Sequence, residues 1–183
     1  MSNKIWTKKR ELKLSYISPS LWWKRELETN SKEWKDLRIK VLERDNYQCY
    51  FCQIRASKYM IIDHISGDAQ DNRLKNLRVL CPLCDTIRHA GLAGIMGTLN
   101  IASSKLSQIE IVKKTQDFFL KNKILPTIKQ LDSSARLAKK YSPIDIATLE
   151  EEEIPKELKI YKGFFTKNAI AKGKTKFLTF LLS

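Results

Sequence analysis

The chain has 183 residues, 43% hydrophobic and 9% aromatic, which suffices for one compact domain, or one domain with a helical extension, but not for two full-sized domains. No run of 18 apolar residues occurs, which excludes a membrane-spanning helix, and the opening MSNKIWTKKRELK has charge with no apolar stretch behind it, so no secretory signal is expected and the protein is expected in the cytoplasm. Lys and Arg number 34 against 20 Asp and Glu, a net charge of +14.

That charge flanks the middle of the chain. Residues 1–44 hold 12 basic and 6 acidic side chains, a net of +6, and residues 101–140 reach the same net with 9 and 3. Residues 45–100 net only +1, and in residues 141–183 the acidic run Glu150–Glu153 nearly cancels a basic tail. Three readings of the basic flanks stay open: a footprint on a phosphate backbone, a surface for an acidic protein, or lysines solvated on helix faces.

An N-terminal arm of residues 1–32 precedes the first clear element. Glu33 to Arg44 reads as an amphipathic helix with Trp34, Leu37, Val41 and Leu42 on one face, and Asp45 and Asn46 end it. Lys58 to His64 is a short β-like run, residues 67–72 are a turn-rich loop, and Leu77–Leu80 returns as a second strand. Pro82 suits the first turn of a helix running from Leu83 to about Ala90, with Gly91 as its stop. The resulting unit spans residues 33–100.

Leu106 to Lys121 reads as a helix opened by a capping box, Ser107 to Glu110, with Ile109, Val112, Gln116, Phe119 and Leu120 along one face. Pro126 breaks it, and Thr127–Lys140 reads as a second, basic helix, so residues 101–140 are expected to be a helical extension packed on the unit before them. Residues 141–183 are expected to be a partly flexible C-terminal segment, with a loop and short helix after Pro143 and an apolar stub after the basic run at its end. Gly173-Lys174-Thr175 lacks the upstream glycine and following helix of a phosphate loop, so no nucleotide site is expected there.

The four cysteines, Cys49, Cys52, Cys81 and Cys84, form two C-x2-C pairs 28 residues apart. Paired thiolates at both ends of one segment can close a tetrahedral site around Zn²⁺, and a cytosolic compartment disfavours disulfides. Four sulfur ligands leave no open position, so such a zinc would hold the fold and do no chemistry. Both histidines of the chain fall in the same unit: His64 follows Asp63 at the end of the first strand, and His89 lies four residues after Asp85 on the helix.

The stretches ERDNYQCYFC, IIDHISGD and NRLKNLRVLCPLC, within residues 34–91, resemble the zinc-stapled form of the HNH, or ββα-metal, nuclease family. The resemblance implies a small α+β ββα-metal domain, here with helical N- and C-terminal extensions. It implies His64 as general base, Asn76 as a prop for the loop, and a divalent cation such as Mg²⁺ or Mn²⁺ held by Asp63 with Asp85 or His89, acting on DNA. The family usually has His or Asn directly after the last cysteine, where this chain has Asp85. The competing reading makes Asp63 and His64 relics, with His64 satisfying a backbone carbonyl.

A second similarity runs further. Glu11-Leu12-Lys13-Leu14 and Ser18-Pro19, then Gly91, Gly94 and Gly97-Thr98-Leu99, then Leu106 to Glu110 and Ser133 to Arg136 resemble the IcmJ (DotN) family of Dot/Icm type IVB secretion systems. That resemblance implies a zinc-bound HNH-like fold used as a protein-binding module, docked on the coupling ATPase at the inner face of the membrane. The Asp-His pair is degraded in that family and kept here, which leaves an active HNH endonuclease as the alternative.

Overall fold

The computed structural model describes residues 10–14, 26–138 and 160–182. Most of the N-terminal arm, Ser18 and Pro19, Lys139 and Lys140, and the expected loop, short helix and acidic run of residues 143–153 lie outside the described residues.

Helix α1, Lys32–Arg44, starts where Ser31 Oγ accepts from the Trp34 amide at 3.1 Å, and it buries Trp34, Val41 and Leu42. Its C-terminal end is tied to the hairpin beyond it. Arg44 donates to the carbonyls of Leu74 and Leu77, both at 2.7 Å, and the Asp45 carboxylate accepts from the Val79 amide at 3.1 Å. Asn46 and Tyr47 then take φ of +53, which turns the chain sharply into the first cysteine pair.

Strands β1, Ile61–His64, and β2, Leu77–Leu80, pair antiparallel with Ile61 opposite Leu80 and His64 opposite Leu77. Helix α2, Pro82–Arg88, comes directly after β2, with Cys81 as its N-cap and Pro82 in its first turn. The expected stop at Gly91 does not occur. Helix α2 ends at His89, and α3, Ala90–Ile95, begins at once with Gly91 buried inside it. The left-handed position falls instead at Gly97, φ +62, where a Cβ would sit 3.0 Å from Asn168 Nδ2.

The region expected to be a helical extension also contributes strands to a second sheet. Strand β3, Leu99–Ser103, is the centre of a three-stranded antiparallel sheet ordered β4-β3-β5, with β4 at Arg136–Leu137 and β5 at Tyr161–Phe165. The helix read after Leu106 is present as α4, Gln108–Asn122, and its capping box forms as read: Ser107 N donates to Glu110 Oε2 at 2.7 Å, and Glu110 N to Ser107 Oγ at 3.3 Å. Its buried face is Gln108, Ile111, Val112, Thr115 and Gln116, rotated from the face the apolar pattern suggested. The basic helix expected from Thr127 contracts to one turn, α5, Ile128–Leu131. Asp132 leaves the helical region, and its carboxylate accepts from Ser134 N at 2.9 Å and from the hydroxyls of Ser134 and Ser104. These bonds, local from Ser134 and long-range from Ser104, outcompete helix propagation and turn the chain toward β4.

The C-terminal residues complete the core. Beyond β5 come α6, Asn168–Ala171, and a 3₁₀ turn, Lys176–Thr179, in which Phe177 and Leu178 are buried in one core with Cys49, Leu83 and Val112. The stub continues as an edge contact, with Ser57 N donating to Phe180 O at 2.8 Å and Leu182 N to Arg55 O at 3.0 Å. No helix among the described residues is long and apolar enough to cross a membrane.

Beside β5, the buried Gln108 side chain stands in for another strand: its Nε2 donates to Gly163 O at 2.9 Å and its Oε1 accepts from Gly163 N at 2.8 Å. A Cβ at Gly163 would lie 2.7 Å from Ile87 Cδ1 and 2.9 Å from Leu99 Cδ1, so those buried side chains would have to shift to admit one. Gln108→Leu keeps the volume and orphans both backbone groups. It is expected to cost about 1–3 kcal/mol per orphaned group, read from urea unfolding with an unchanged m-value.

Candidate metal centre and adjoining charged cluster

Two turns deliver the cysteines. In the first, Cys49 N donates to Ile54 O at 2.8 Å and Gln53 takes φ of +68, with its amide clamped to the carbonyls of Cys49 at 2.9 Å and Tyr50 at 2.8 Å. Tyr50 N donates to Val79 O at 2.8 Å, which registers this turn against β2. The second turn is the start of α2, where Cys84 N donates to Cys81 Sγ at 3.5 Å. All four cysteines are buried, and their sulfurs lie within 4.8 Å of one another, so the group could hold a metal ion.

The donor chemistry fits a thiophilic divalent cation. Contacts from Cys49, Cys81 and Cys84 hold the Cys52 thiol well below its ordinary value, whereas burial pushes Cys81 and Cys84 up. Burying the sulfurs together opposes their joint ionisation, because several buried anions repel one another. A divalent cation removes that conflict and deprotonates the ligands. A further polar group faces the sulfurs: Gln116 Nε2 donates to Cys52 Sγ at 3.4 Å and to Cys81 Sγ at 3.6 Å. Sequence reading assigned Gln116 to a helix face; its place over the sulfurs depends on how α4 docks.

The HNH-type residues divide into two groups because successive side chains of β1 point to opposite faces. On one face, His64 Nε2 lies 3.1 Å from Asn72 Oδ1 and its ring stacks on Trp34 at 6.0 Å between centroids. Asn72 Nδ2 donates to Glu26 Oε2 at 3.1 Å, so its carbonyl oxygen faces the imidazole and assigns the proton to Nε2. Asn76 is buried and spans the loop, donating to Asp71 O at 2.9 Å and accepting from Ser66 N at 3.0 Å.

On the other face Asp63 is buried, and its Oδ2 accepts from Arg78 Nε and Nη2, both at 2.7 Å, with Arg88 Nε at 3.5 Å. His89 Nε2 stands 3.9 Å from Asp63 Oδ1 and 3.6 Å from Asp85 Oδ1, and Lys174 Nζ is 3.6 Å from Asp85 Oδ2. Burial pushes the Asp85 carboxyl up, against the pull of His89 and Lys174. Asp63, Asp85 and His89 therefore lie near one another, apart from His64 and Asn76, and with three cations that sequence reading did not assign. Asp63 and Arg78 are cross-strand partners, a relation legible only once the hairpin register is known. The adjoining cleft, lined in part by Asp85, His89, Met96 and Lys174, has a volume of about 40 Å³.

The sulfur pocket yields a graded expectation. Cys49→Ser or Cys84→Ser removes a ligand and should abolish the cooperative fold, followed by circular dichroism. Gln116→Leu should leave the fold intact and weaken metal retention about 10–100-fold in competition with a chromophoric chelator.

No family model matches the chain. Among curated proteins it is similar to the type 4 apparatus protein DotN of Legionella pneumophila subsp. pneumophila (strain Philadelphia 1), with 33% identity over 104 residues, covering 55% of this chain and 48% of that protein. The chain thus spans about half the length of the curated relative it matches.

Proposed function

We propose that the chain is a DotN-like, protein-binding subunit of a Dot/Icm type IVB secretion apparatus, built on a zinc-stapled HNH-like ββα unit and docked on the coupling ATPase from the cytoplasmic side. The observation that carries this reading is the similarity to the type 4 apparatus protein DotN. Two features support it. The order hairpin, then helix, with a cysteine pair at each end is the arrangement a structural Zn²⁺ staples. Leu92, Ile95 and Met96 stand exposed along and just past α3, the sort of apolar surface that a protein partner buries.

A second reading, a divalent-metal HNH endonuclease, is favoured by one specific observation: Asp63 and His64 are both present, with Asn76 bracing the loop that succeeds them.

Elemental analysis should give one zinc per chain. The cytosolic part of the coupling ATPase, titrated into the full chain without added divalent metal, should bind. That binding should weaken with salt and keep a salt-resistant apolar part. No binding to the ATPase, together with duplex-DNA affinity that collapses by orders of magnitude between roughly 50 and 200 mM salt, overturns the first reading. Plasmid nicking with Mg²⁺, Mn²⁺ or Ni²⁺ that disappears in His64→Ala establishes the second.

A further inference from the structure

The HNH resemblance implies a divalent cation held by Asp63 with Asp85 or His89, and the residues present do not fit one. Asp63 Oδ2 is already hydrogen-bonded by the Arg78 guanidinium, with Arg88 Nε at an ion-pair distance of 3.5 Å, and Asp85 Oδ2 faces the ammonium of Lys174. Before His89 is counted, two carboxylates meet three permanent cations, so the cluster is net positive. A divalent ion entering it would have to displace fixed charges of its own sign, in a site where burial strengthens every repulsion. The side chains of Asp63 and Arg78 are 1% and 8% exposed, so neither can swing into solvent to make way without breaking the core.

We infer that Arg78, Arg88 and Lys174 are the resident counter-cations of Asp63 and Asp85, so that this cluster takes no divalent metal and serves instead as a charge clamp that pins the C-terminal segment to the four-cysteine unit. The members come from four places in the fold: Asp63 from β1, Arg78 from β2, Asp85 and Arg88 from α2, and Lys174 from the turn after α6. Lys174 is the only one of the five from beyond residue 138. Its backbone is fixed independently, with Lys174 N donating to Ala169 O at 2.8 Å, so the side chain is aimed by the fold of the segment it anchors. The inference does not depend on the secretion reading, and it stands against the divalent-metal endonuclease reading.

Mn²⁺ is the probe. The full chain, as purified with its sulfur site loaded, is titrated with Mn²⁺ and the free ion is followed by electron paramagnetic resonance. Wild type is expected to bind none at this cluster up to about 1 mM. One Mn²⁺ per chain that is lost in Asp85→Asn or Asp63→Asn overturns the inference; Mn²⁺ that both variants retain lies elsewhere and leaves it standing. Thermal unfolding tests the clamp separately. Lys174→Met should lower the midpoint by about 2–4 °C, and by less than half of that in an Asp85→Asn background. Equal losses in the two backgrounds would show that Lys174 is not acting through Asp85, and would overturn the clamp.

Discussion

Four sulfurs from two turns must meet in one buried pocket, and most of the surrounding geometry depends on how that meeting is arranged. The first turn is held against β2 by the amide of Tyr50, and the second is the capped start of α2, so the hairpin between them sets the distance over which they converge. Helix α4 then closes the pocket by bringing Gln116 to two of the sulfurs. Burial that excludes water also makes several thiolates intolerable without a cation, so the same packing that shapes the pocket gives it an appetite for metal.

The neighbouring Asp63 cluster obeys the opposite logic. Buried carboxylates are costly unless paired, and here the pairing is supplied by the chain itself. Breaking such a set by removing one partner costs more than its formation contributes, because the remaining charge is stranded in a low dielectric. The two sites adjoin along α2, with Cys84 in one and the next residue, Asp85, in the other. The width of one helix thus separates a site short of positive charge from one with an excess of it.

The three-stranded sheet gives the C-terminal residues a structural role beyond that of a tail. Strand β5 pairs with β3 along its whole length, Gln108 clasps Gly163 beside it, and Phe177 is wholly buried. The clamp through Lys174 belongs to the same attachment, which is why a basic residue in a turn near the chain's end bears on groups read as a metal site.

Local features were legible in the residues alone: helix α1 with its buried Trp34, Val41 and Leu42, the capping box of α4, the short hairpin, and the sulfur quartet, whose spacing is a chemical statement in its own right. Each depends on contacts within a few residues or on a donor set with few alternative uses. Three strands of two to five residues are too short to show a period, so the second sheet was read as helix or tail. Thr127 onward has helical composition, but the bonds of Asp132 to Ser104 and Ser134 end it, and the Ser104 partner is remote in sequence. The partners of Asp63 come from long-range packing. Arg78 reaches it across the hairpin, Arg88 from α2, and Lys174 comes to Asp85 from the far end of the chain. A carboxylate next to a histidine reads the same in sequence whether a metal or two guanidiniums face it; the tertiary contacts that bring those cations in are what separate the two.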